Sequence, residues 1–97
     1  LPDLSDRQQA LLRLLDHSPF PVTGTQLAAL LGTMDRYPAR TATAQGVHKT
    51  AGSLVKKGLV TAIRSPWPMP IRYSLNPLGS EVLYRITKLE KTGRIPR

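Results

Sequence analysis

The chain has 97 residues, 40% of them apolar and 21% charged, which is room for one small core, too little for two domains and too apolar for a wholly disordered chain. It contains no Cys, so disulfide staples, thiolate zinc sites and a cysteine nucleophile are excluded, and a reducing compartment is compatible with that. Fourteen Lys and Arg against six Asp and Glu give a net +8, unevenly placed: residues 1–35 carry Arg7 and Arg13 against Asp3, Asp6, Asp16 and Asp35, a net −2, leaving +10 on residues 36–97.

Ser5-Asp6-Arg7-Gln8 fits a capping box, and the leucines at 4, 11, 12, 14 and 15 form an apolar face, so the first helix is expected at about 5–16, ended by Pro19 and Pro21. Thr23-Gly24-Thr25-Gln26 repeats the capping pattern before Leu27, Ala28, Leu30 and Leu31, with Gly32 as the C-terminal cap of a short second helix. Residues 33–39 lack a period and read as a connecting loop. From about Thr41 to Lys57 the apolar spacing Ala44, Val47, Ala51, Leu54 is helical, and Gly58 stops this third helix. Leu59–Arg64 and Ile71–Leu75 read as two strands around the proline-stiffened tip Pro66-Trp67-Pro68. Asn76-Pro77 caps a last helix running to about Glu90, with Leu78, Val82, Ile86 and Leu89 on one face and a basic tail over 91–97.

The order is thus mostly α with a small hairpin: three helices, a two-stranded wing and a C-terminal helix. It is that of a winged helix-turn-helix in one domain, with its core over 4–90, in which the third helix enters a major groove. Projection of the third helix puts Gln45, Lys49, Gly52 and Lys56 opposite Val47, with His48 and Thr41 at the edge. An amide suits adenine, a cation suits guanine or phosphate, and a glycine allows close approach. The expected DNA contacts are Gln45, His48 and Lys49 to base edges, Arg40, Thr41, Lys56, Arg64 and Arg72 to phosphates, and Trp67 from the wing. Any amphipathic helix has a polar outer face, and Trp67 folded back on the core would be structural. Arg36, Arg40, Lys49, Lys56, Lys57, Arg64 and Arg72 nevertheless cluster where the groove reading needs cations, and such cations drive binding by displacing condensed counterions from nucleic acid into solution.

Three stretches resemble the multiple-antibiotic-resistance regulator (MarR) family of winged-helix transcription factors: Leu4-Ser5-Asp6-Arg7-Gln8, Ser53-Leu54-Val55-Lys56-Lys57-Gly58-Leu59-Val60, and Tyr73-Ser74-Leu75-Asn76-Pro77-Leu78-Gly79. The resemblance covers about residues 4–90 and implies sequence-specific duplex-DNA binding and transcriptional control. Two departures stand beside it, a longer loop before the third helix and no extra N-terminal dimerisation helix. The Pro66-Trp67-Pro68 tip also resembles the wing of Z-DNA-binding Z-alpha domains, but their recognition-helix Asn and Tyr align with His48 and Gly52 here.

No catalytic set is legible. His17 and His48 sit on different predicted helices without a His-x-x-x-His pair, and no glycine-rich phosphate loop follows a strand. The expectation is a non-enzyme without cofactor or metal, partnered by double-stranded DNA and compatible with a homodimer. Without a membrane-length apolar run or a signal-peptide start, a cytoplasmic location is expected, on the nucleoid if the source is bacterial. The start at Leu1 fits processing or a piece of a longer protein. The alternatives are a protein-interaction module docking through Trp67 or the last helix, and a binder that reads DNA structure or modification.

Overall fold

The computed structural model describes residues 4–33, 43–66 and 68–92. These residues form four helices, α1 (Asp6–His17), α2 (Gly24–Leu31), α3 (Ala44–Lys56) and α4 (Pro77–Thr92), and a small antiparallel sheet of β1 (Val22–Thr23), β2 (Val60–Ile63) and β3 (Arg72–Leu75). The sheet order is β1-β3-β2, with Val22 opposite Tyr73 and Ala62 opposite Tyr73 on the other side. The two-stranded wing expected from sequence is therefore part of a three-stranded sheet. The missed strand has two residues, too few to show a period of two.

Local chemistry fixes the helix starts. Ser5 Oγ accepts the Gln8 amide at 3.2 Å while the Ser5 amide donates to Gln8 Oε1 at 2.8 Å, and Thr23 with Gln26 repeats the arrangement at 3.1 and 2.9 Å. The third helix begins later than expected, because Thr43 is its N-cap, its Oγ1 accepting the Gly46 amide at 3.1 Å. Asn76 caps α4 as expected, its Oδ1 accepting the Gly79 amide at 2.8 Å.

The end of α3 sets the angle at which the chain enters the sheet. Gly58 takes φ +78°, its amide donates to the Val55 carbonyl at 3.0 Å, and the Leu59 amide donates to the Leu54 carbonyl at 3.1 Å, a Schellman closure. Asn76 Nδ2 then donates to the Gly58 carbonyl at 2.7 Å, tying the start of α4 to the end of α3.

Leu11, Leu12, Leu27, Leu31, Leu54 and Leu59 are at most 1% exposed and form the centre of the core, each contributing about 1.5–3 kcal/mol by leaving water. One expected face needs correction. Leu78 is 50% exposed, and Leu83 joins Val82 and Ile86 in the core instead. The reason is that Gly79 lies against the Leu59 carbonyl, which seats that turn of α4 by backbone contact and turns Leu78 outward.

Candidate nucleic-acid interface

Val47, Ala51 and Leu54 hold α3 on the core, so the opposite face is presented to solvent. Gln45, Lys49, Gly52 and Lys56 follow one another there at i, i+4, i+7 and i+11, and the three side chains among them are exposed. Among the described residues, a methyl group at Gly52 would meet no atom within 4 Å beyond its chain neighbours and the backbone of its own helix. No packing contact therefore requires this glycine, although glycine inside a helix costs about 0.5–1 kcal/mol relative to alanine.

His48 is exposed but held. Its Nδ1 lies 2.7 Å from the Tyr73 hydroxyl, with the rings 5.6 Å apart and tilted by 59°. The bond's proton comes from either group, according to the imidazole tautomer. The other edge of the ring, with Nε2 and Cε1, lies over Gly24, the first residue of α2, where a Cβ would overlap it. His48 thus joins α2, α3 and β3, which leaves it less freedom to reach base edges than Gln45 or Lys49. Burial pushes the Tyr73 phenol above its ordinary pKa, and the positive charge of Arg64 opposes that in part.

Between α3 and the wing runs a cleft of about 240 Å³, lined by Gly52, Val55, Lys56, Ala62, Arg64, Ile71 and Tyr73. Its two exposed cations come from different elements, Lys56 from α3 and Arg64 from just beyond β2. Arg72 is exposed opposite Ile63 and next to buried Tyr73, so strand alternation puts it on the other face of the sheet, away from this cleft. Arg40, Thr41 and Trp67, with the loop cation Arg36, lie outside the described residues. Sequence reasoning missed Tyr73 and Gly24 as the partners of His48. Separations of 25 and 24 residues carry no periodic sign of such contacts.

A second cleft, of about 370 Å³, lies between α1 and α4 and includes Arg13, Asp16, His17 and Tyr84. Among the described residues no group of three His, Asp or Glu could hold a metal ion, and no helix is long and apolar enough to cross a membrane.

No protein-family model matches the sequence, and no curated protein matches it. Solved structures do. The hsRosR-S1 complex structure aligns over 92% of this chain and 76% of its own, at TM-score 0.74 and 21% identity. The PcaV transcriptional regulator from Streptomyces coelicolor, solved with its natural ligand, aligns over 92% of this chain and 60% of its own, at TM-score 0.65 and 17% identity. A probable transcriptional regulator from Pseudomonas aeruginosa aligns over 96% of this chain and 67% of its own, at TM-score 0.61 and 22% identity. Taken with the element order and the sheet register, these likenesses make the fold of this chain a winged helix-turn-helix, shared with these solved structures.

Proposed function

We propose that the chain is the DNA-reading part of a transcriptional regulator, with α3 in the major groove and the wing on the flanking backbone. One observation carries the reading: the face of α3 turned from the core holds Gln45, Lys49 and Lys56 in one exposed row, and that row ends at a cleft whose far lip carries Arg64. Gln45 and Lys49 supply base-edge contacts, Lys56 and Arg64 supply phosphate contacts, and Arg72 reaches phosphate only from the other face of the wing. Arg40, Thr41 and Trp67 keep the roles expected from sequence, and His48 combines an edge contact with its structural link to Tyr73. The chain spans 60–76% of the length of the similar regulators, so activation, repression and any effector belong to the proposal only as consequences of DNA binding.

The test is a titration against random-sequence duplex DNA at several salt concentrations, followed by selection of preferred sequences. A steep salt slope with an enriched motif supports the reading, and Lys49→Ala is expected to weaken specific binding by about 1–3 kcal/mol. Absence of binding at moderate salt overturns it. A second role in assembly is supported by Tyr84, 66% exposed on α4 beside the α1–α4 cleft. If α4 carries a homodimer or protein contact, Tyr84→Glu lowers the sedimentation coefficient of the assembled species, and an unchanged coefficient rejects it.

A further inference from the structure

The cleft between α3 and the wing combines features that a general phosphate contact does not need. Two cations on separate elements face it, Lys56 and Arg64, while Val55, Ala62 and Ile71 bring apolar side chains to it. Gly52 opens its α3 side, and among the described residues nothing occupies the space a side chain there would take. One hydrogen-bonding position of the Tyr73 hydroxyl, which also lines it, is taken by His48.

A duplex that receives α3 in its major groove and the wing beside it must pass one strand's backbone between the two. We infer that this cleft seats the deoxyribose of that strand, its apolar face against Val55, Ala62 and Ile71 and its phosphate between Lys56 and Arg64. The inference rests on the DNA-binding reading and deepens it, because the seat discriminates between sugars. The apolar side chains offer no hydrogen bond to a ribose 2′-hydroxyl, and a hydroxyl desolvated without a partner is disfavoured. Gly52 is the specificity-determining position: it lets the sugar approach the helix backbone, which explains a helical glycine that no neighbour requires.

The experiment compares three duplexes of one sequence with a common DNA complement: a DNA strand, a 2′-fluoro strand and a ribo strand. The fluoro strand shifts sugar pucker without adding a donor, so the ribo-to-fluoro ratio isolates the hydroxyl. For the wild-type chain the ribo strand is expected to bind about ten-fold more weakly than the fluoro strand. Gly52→Leu fills the cleft and is expected to lower DNA affinity about ten-fold and bring the ratio close to one. Gly52→Ala, smaller and helix-favouring, lies between the two while its Tm rises, which separates a lost contact from a lost fold. Wild-type affinity for DNA in Gly52→Leu, or a wild-type ratio of one, overturns the sugar seat and leaves DNA binding standing. If the wild-type chain binds none of the three duplexes, the DNA reading itself falls, and the seat with it.

Discussion

Gly24 and His48 occupy space that only one of them can enlarge. The imidazole lies where a Gly24 Cβ would stand, so Gly24→Ala must displace the ring and strain its 2.7 Å contact with Tyr73. We expect a loss of about 1–3 kcal/mol, the usual range for overpacking, and near neutrality when the same substitution is made in His48→Ala. Denaturant unfolding of the four proteins of that double-mutant cycle measures the coupling, and additive effects would show that the two residues do not meet. Tyr73, on the other side of the ring, makes a pH prediction. Its phenol keeps its proton above the ordinary value of 10.0 when folded, so between that value and the raised one the unfolded chain releases a proton that the folded chain retains. Stability from this group is complete below pH 10.0 and declines as pH rises through that window. Unfolding free energies of wild type and Tyr73→Phe should therefore converge at alkaline pH, and a constant difference across the window would contradict the assignment.

At the scale of elements, Gly52 inside α3 and Gly58 just past its end have opposite reasons for being there. Gly58 ends α3 at φ +78°, a conformation in which a side chain costs about 1–2 kcal/mol, whereas Gly52 lies inside the helix with open space beside it. Gly58→Ala should lower stability by about 1–2 kcal/mol, and Gly52→Ala should raise it by about 0.5–1 kcal/mol. Thermal unfolding distinguishes them, since each 1 kcal/mol moves Tm by roughly 4–8 °C in a domain of this size. The same contrast shows which elements sequence could specify. Ser5, Thr23 and Asn76 announce helix starts through bonds made within three residues, and Gly58 announces a stop, so these were legible locally. The β1 strand and the inward turn of Leu83 were not, because both depend on contacts with distant chain, β1 on Tyr73 and Leu83 on the approach of Gly79 to Leu59.

Over the whole molecule, the acidic first third and basic remainder become an arrangement in space only through the fold. The periodicity of α3 was enough to place Gln45, Lys49, Gly52 and Lys56 on one outward row, yet the junction of that row with Arg64 depends on the wing's angle, which comes from the Schellman closure and the Asn76 bond to Gly58. Arg72, expected from sequence as a phosphate contact flanking the wing, falls on the other side of the sheet from the cleft because strands alternate. Net charge alone therefore does not decide which cations take part in binding. The salt dependence of affinity can, since each phosphate neutralised contributes about 0.9 to the slope of log K against log salt. Lys56→Gln and Arg64→Gln should each reduce the magnitude of that slope by about one. Arg85→Gln and Lys88→Gln remove the same charge from exposed positions on α4, which packs against α1 and contributes no residue to the cleft, so they should leave the slope as it was. Equal effects from all four would mean that DNA senses only the total charge, and the α3–wing surface would lose its claim to be the interface.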